Sequence, residues 1–265
     1  MTVTIQVADG AYTIGGSIVI DHPDGDKMQI LGNVSSETTV AITAIDTTAK
    51  TITVAGDYTG SIKVEDIIGL TGSSTSGLNG AYIVSGVAYS GGNTVITCSA
   101  ETIASATVGG GSLVIKPCNR CVLSCSAGLT CFNITRNAAL ISGFRINGQG
   151  AGSKSVLLDN AKCTIGTKIV CFGPETGIQA SNRAYGFVQG VTFKNCAMPL
   201  AAYYSTIASN TQKIIFHGAS IRAITCMYNS FVLINLSAVI INTCAADYSP
   251  AINTVGNGNS FIQGS

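Results

Sequence analysis

The chain offers few side chains able to do chemistry, and its cysteines are the most closely grouped. Cys118-Asn-Arg-Cys121-Val-Leu-Ser-Cys125 is followed at once by Cys131. A C-x-x-C step with more thiols nearby is a zinc-ligand spacing, so Cys118, Cys121 and Cys125 form the candidate metal set. A strong zinc signal needs two such pairs, and only one is present. The competing reading makes these thiols small apolar side chains in a packed interior. Cys163, Cys171, Cys196, Cys226 and Cys244 follow at wide intervals, which suits that interior role. On this reading neither a metal nor a cofactor is expected.

Carboxylates decide whether hydrolysis is feasible, because a glycosidase normally works with a pair. Beyond residue 115 the chain holds only Asp159, Glu175 and Asp247. These are the candidate catalytic residues. Glu175, in Phe172-Gly-Pro-Glu-Thr-Gly177, reads as an exposed turn and as the best acid. A lyase would need a base and a cation beside a uronate. Arg145, Arg183 or Arg222 could supply the cation, but no calcium-binding Asp cluster accompanies them. A Ser220, His217 and Asp159 triad can be drawn on paper only, since triads are recognised by geometry. The aromatics are more suggestive. Tyr185, Tyr203 and Tyr204, with Arg183 and Arg222, are the candidate ligand-binding residues. Adjacent Tyr203 and Tyr204 on a strand should point to opposite faces, leaving one outward for a sugar ring or a neighbouring subunit.

The elements that must hold these residues repeat. Gly143-Phe-Arg-Ile146, Lys168-Ile-Val-Cys-Phe172, Gly190-Val-Thr-Phe193, Lys213-Ile-Ile-Phe216 and Ala238-Val-Ile-Ile-Asn242 have centres 22 to 26 residues apart. A second series falls between them at spacings of 21 to 24: Cys131-Phe-Asn-Ile134, Ser155-Val-Leu-Leu158, Gly177-Ile-Gln-Ala180, Met198-Pro-Leu-Ala201 and Ile221-Arg-Ala-Ile-Thr-Cys226. A fixed period of this size in strand-length apolar pieces is a solenoid signature. The runs are short and rich in Ile, Val and Phe, and none holds a helical period. The expected fold is all-β, a right-handed parallel β-helix. Its strands stack ~4.8 Å apart, and about six coils make a stalk ~29 Å long.

Residues 1–33 read as a first coil. Ala8-Asp-Gly-Ala-Tyr and Ile18-Val-Ile-Asp-His-Pro-Asp-Gly-Asp-Lys-Met-Gln-Ile-Leu-Gly-Asn33 resemble the opening coil of the pectin-lyase-like β-helices in bacteriophage tail fibres and tailspikes. Ile141-Ser-Gly-Phe-Arg-Ile-Asn-Gly148 and Val191-Thr-Phe-Lys-Asn-Cys196 are similar to coil sequences of that family. The resemblance covers roughly 1–33 and 113–250. It implies a virion protein assembled in the host cytoplasm, with other virion proteins and host-surface polysaccharide as partners. It also implies a homotrimer. The polygalacturonase and pectate-lyase signatures of the family are not visible.

Residues 34–115 break the coil rhythm. Five apolar runs about ten residues apart, with hairpin-like turns such as Gly72-Ser-Ser-Thr-Ser-Gly77 and Gly91-Gly-Asn93, indicate an inserted small antiparallel β-domain, a barrel or sandwich. Residues 116–265 then form the main β-helix. Charge divides the same way. Residues 1–115 carry 10 Asp/Glu against 3 Lys, and residues 116–265 carry 11 Lys/Arg against 3 Asp/Glu. The basic half suggests an acidic partner, either an anionic polysaccharide or an acidic protein surface. Its basic residues are singly spaced, so nucleic acid is not expected.

Hydrophobic residues at 46% allow a filled core, which argues against disorder. No apolar run reaches 18 residues, so no membrane span is expected. Met1-Thr-Val-Thr-Ile-Gln-Val lacks a basic and an apolar segment, so no signal peptide is expected and the thiols should stay reduced. The favoured function is a non-enzymatic tail fibre, tailspike or surface appendage that binds host glycan. The alternatives are a polysaccharide depolymerase and a capsid decoration or structural spacer.

Overall fold

The structure, a computed structural model, describes residues 2–210, 212–234, 239–242, 252–254 and 261–264. It is an all-β parallel solenoid whose coils present three faces. The first face is an eight-stranded parallel sheet running from Val3–Gln6 and Met28–Leu31 through Ala138–Ser142, Lys162–Ile165, Tyr185–Val188, Thr206–Ser209 and Phe231–Ile234 to Phe261–Gly264. Eight strands at ~4.8 Å give a stack about 34 Å long, longer than the six coils counted from the repeat. The second face stacks Gly10–Ile14, Cys121–Cys125, Val191–Lys194, Ile214–His217 and Val239–Asn242. The third stacks Ile18–Ile20, Thr130–Ile134, Met198–Tyr203, Ile224–Met227 and Ile252–Thr254. Two long strands, Arg145–Asp159 and Ile169–Ser181, bend and serve both of these faces.

Alternation explains the interior. On the third face Ile18, Phe132, Val156, Ile178, Leu200 and Ile224 lie in register and point inward. On the first face Ile30, Ile141, Ile165 and Val188 do the same. Each coil therefore covers the apolar residues of the next. Phe193 and Phe216 stack in the interior with ring centroids 5.3 Å apart.

Met28–Leu31 opens the second coil rather than closing the first, because Val3 pairs with Met28 in parallel register. The insertion leaves that coil after Met28–Leu31 and returns at Cys121–Cys125. It is a seven-stranded antiparallel sheet, ordered Gly80–Ile83, Ile67–Thr71, Ser112–Ile115, Thr38–Asp46, Thr51–Ala55, Asn93–Thr97, Gly86–Ser90. Its two end strands are joined only by Val84 and Ser85. The Glu65 N–H donates to Val84 O (2.7 Å), the Val84 N–H to Asp66 O (2.9 Å) and the Ser85 N–H to Thr97 O (2.8 Å). The chain thus crosses from one sheet end to the other, and the sheet curls into a small barrel around Ile52, Val54, Ile68, Leu70, Tyr82, Ile96 and Leu113.

The barrel sits on the outside of the second face. One outward row of that face, Val170, Ile215 and Ile240, packs against Ile67, Ala81 and Ile83. The next row, Lys194, His217 and Asn242, is polar and buried. Lys194 Nζ binds Glu101 Oε2 at 2.7 Å, His217 Nδ1 accepts from the Ala81 N–H at 2.9 Å, and Asn242 Nδ2 donates to Gly77 O and Asn79 O, both at 2.9 Å. Three successive rungs therefore grip the barrel. Arg120 forks onto Asp66, Lys116 binds Glu37 at 3.0 Å, and Arg145 Nη1 donates to Glu65 O. Part of the charge division of the sequence is met here within the chain: Lys116, Arg120 and Lys194 of the basic half pair with Glu37, Asp66 and Glu101 of the acidic insertion.

Candidate functional site

The corner between the third and first faces gathers several of the candidates. Each coil turns there through a left-handed residue: Asn160 (φ 54°), Asn182 (φ 55°), Tyr204 (φ 52°) and Tyr228 (φ 57°). The rungs are tied along the stack, with the Asn160 N–H donating to Ser181 O, the Asn182 N–H to Tyr203 O and the Tyr204 N–H to Met227 O. Asparagine tolerates this conformation. A tyrosine in it carries strain of about 1–2 kcal/mol, a cost that concentrates at functional positions.

That geometry corrects the expectation for the tyrosine pair. The strand Met198–Tyr203 ends at Tyr203, so Tyr204 is not the next residue of a pleat. Tyr203 faces outward on the third face and is partly buried. Tyr204 also faces outward, 54% exposed, at the corner. Its ring stacks on that of Tyr228, with centroids 5.0 Å apart and planes within 13°. Beside Tyr204 lies a shallow depression of about 490 Å3, lined also by Asp159, Asn160, Asn182 and Arg183. Asn182 Nδ2 donates to Asp159 Oδ1 at 2.7 Å, which fixes both side chains. An aromatic wall with a carboxylate, amides and a guanidinium at its foot suits a hydroxyl-rich ring.

Other candidates fall elsewhere. Tyr185 turns onto the first face and lines a separate depression with Lys162 and Asp26. Arg222 lies two residues before the third-face strand Ile224–Met227, its N–H bonded to Ala197 O. It lies within electrostatic reach of Tyr203. Burial first, then the Glu175 carboxylate, raises the Tyr203 hydroxyl above its usual range, and Arg222 opposes them. On the outward row of the third face, Asn133 Oδ1 and Thr225 Oγ1 are buried with no partner among the described residues.

Glu175 is not in a turn. It sits within the strand Ile169–Ser181, its Oε2 accepting from the Gly152 N–H. Pro174 and the glycines around it suggested a loop, but the strand bends there as it passes between faces. Ser181, at the end of this strand, pairs with Asp159. Glu175 lies six residues earlier, roughly 20 Å along the strand, whereas paired glycosidase carboxyls stand about 5–9.5 Å apart. Glu175 and Asp159 of one chain cannot act as a pair. Asp247 lies outside the described residues. His217 is under the barrel on the second face, so the Ser220, His217 and Asp159 combination does not form either.

The cysteine set is separated as well. Cys118 lies between solenoid and barrel, while Cys121 and Cys125 point into the solenoid core. Cys121 and Cys125 are about 13 Å apart along their strand, too far to share one ion at ~2.3 Å bonds. Burial raises the Cys118 thiol to about 12 and the Cys121 thiol to about 11, which keeps both protonated. Of the polar row, His217 stood out in the sequence only as a triad member, and Lys194 and Asn242 did not stand out. A charged residue and a histidine at equivalent positions of adjacent apolar runs were the available signal.

No protein-family model matches the chain, and no curated protein matches it. Among solved structures the chain is similar to the tailspike gp49 of Pseudomonas phage LKA1, with a TM-score of 0.24, 10% identity and coverage of 92% of this chain and 65% of that one. It is also similar to the gp54 tailspike of Acinetobacter baumannii phage AP22, solved in complex with A. baumannii capsular saccharide, with a TM-score of 0.24, 9% identity and coverage of 98% and 64%. The chain spans less than two thirds of the length of either tailspike.

Proposed function

We propose that the protein is a phage virion component of the tail-fibre or tailspike kind that binds host-surface glycan without cutting it. The observation that carries this reading is the Tyr204–Tyr228 stack beside the depression lined by Asp159, Asn182 and Arg183, held at a corner of a rigid solenoid. The resemblance of the opening coil to phage tail proteins supports the setting. The roughly 20 Å between Glu175 and Asp159 supports binding over hydrolysis within one chain.

The first face is the surface for further copies of the chain. Its outward rows run Tyr185, Thr206, Phe231 and Phe187, Ala208, Leu233, and Phe231 and Leu233 are 46% and 39% exposed. The second face is occupied by the barrel, so a threefold assembly about the first face leaves the glycan corner at the outer edge of the contact.

The test is incubation of the purified oligomer with capsular and lipopolysaccharide preparations, following retention, polymer length and reducing ends. Intact polymer should be retained, and Tyr204→Ala should weaken retention about tenfold or more. New reducing ends would overturn the non-enzymatic reading. Polymer neither held nor cut would leave only a spacer.

A further inference from the structure

A second cleft is distinct from the tyrosine corner and has a different chemistry. It opens where the barrel meets the corner between the first and second faces, with a volume of about 540 Å3. Such a volume suits a ligand of sugar size. Three lysines line it: Lys116 just past the strand Ser112–Ile115 that leaves the barrel, and Lys168 and Lys213 from solenoid corners two coils apart, with Gly190 between them. The carboxylate among its lining residues, Glu37, is bound to Lys116. Thr39 and Thr71 add hydroxyls. The cleft therefore carries a net positive charge, and Lys213 is exposed at its edge.

Lys168 supplies a second, independent observation. At this corner the neighbouring coils use glycine, Gly143 (φ 83°) and Gly190 (φ 57°), because the turn is left-handed. Lys168 adopts the same conformation (φ 69°) with a full side chain, and its N–H-bearing neighbours keep the ladder, the Gly143 N–H donating to Lys168 O. A lysine held where glycine would relieve strain points to a use for its charge. Its Nζ donates to Val34 O in the segment leading into the barrel, which holds the ammonium at the cleft.

We propose that this cleft binds an acidic saccharide unit, its anionic group held by Lys168 and Lys213 and its hydroxyls by Thr39, Thr71 and Glu37. The saccharide half rests on the glycan reading above; the anion half stands without it. The site would make the protein selective for host polymers that carry carboxylate or phosphate groups. The basic residues concerned are far apart in sequence, and folding assembles them.

The experiment is calorimetric titration of the full chain with glucuronate, glucose 6-phosphate, inorganic phosphate and glucose. One or both acidic sugars should bind, glucose should not, and affinity should fall with added salt. Whichever binds identifies carboxylate or phosphate as the recognised group. Lys168→Gly, which fits the left-handed backbone, and Lys213→Gln should each weaken binding about tenfold. Tyr204→Ala should leave this binding unchanged while weakening polymer retention, so failure at the corner and failure at the cleft are separable. Unaltered affinity in both lysine variants, or no binding of either acidic sugar, overturns the proposal. Inorganic phosphate binding as tightly as the acidic sugars overturns its saccharide half.

Discussion

His217 shows how much one side chain can depend on its setting. Its Nδ1 accepts a hydrogen bond from the Ala81 N–H, its ring lies edge-on to Tyr82 at 5.2 Å, and Lys194 is its neighbour. Burial, and then the Lys194 ammonium, hold the imidazole down at about 3 against an ordinary 6.5. The neutral form is the one the fold needs. The unfolded chain takes up a proton below about pH 6.5 and the folded chain does not until about pH 3. The stability His217 contributes is therefore complete above pH 6.5 and lost progressively as pH falls towards 3. Urea unfolding midpoints measured across that range should drop steeply, and His217→Gln, which keeps an acceptor but does not titrate, should flatten the drop. A drop of the same size in the variant would remove His217 from the account. Glu175 is the other instructive residue. Its composition-based assignment to a turn fails because a solenoid strand can continue through Gly-Pro when it bends between two faces. Glu175→Gln should leave intact any polymer retention that Tyr204→Ala abolishes, as read in the same pull-down.

At the scale of elements, the informative contact is the barrel on the second face. Lys194 and Glu101 are both nearly buried, 1% and 8% exposed, and bonded at 2.7 Å. Removing one partner of such a pair strands a charge and typically costs about 3–5 kcal/mol, whereas replacing both with apolar groups is often neutral. Lys194→Met should thus lower stability by about that amount, and adding Glu101→Leu should recover most of it. Equal losses in the single and double variants, measured by denaturant unfolding, would show that the pair is not coupled. The alternating pattern of the strands was legible because every second residue must face the same core. The partner of each outward residue was not, since Lys194 and Glu101 are 93 residues apart and nothing local links them.

The whole molecule has three faces with three different fates. The second is covered by the barrel. The third leads to the tyrosine corner. The first carries exposed Phe231 and Leu233, which stack in register with Thr206 and Ala208 of the coil before. On the proposed assembly through this face, Phe231→Asp with Leu233→Asp should yield a monomer in sedimentation or light-scattering measurements, without loss of the β-rich circular dichroism of the chain. An oligomer unchanged by that double substitution would place the subunit contact on another surface.

The repeat, the parallel stacking and the antiparallel insertion are legible in the order of residues. These follow from periodicity and turn chemistry, and each coil needs only its immediate neighbours to bury its apolar side chains. The sequence also named Tyr204 and Arg183 among the binding candidates, but placed Tyr204 on a strand rather than at a corner. The fold settles which residues meet. It set Glu175 and Asp159 at opposite ends of one face, and it divided Cys118 from Cys121 and Cys125 by the solenoid wall. It placed Lys116, Lys168 and Lys213 around one cleft. The physical reason is that proximity across coils depends on register and on where the barrel docks, and both are fixed by burial summed over the whole chain.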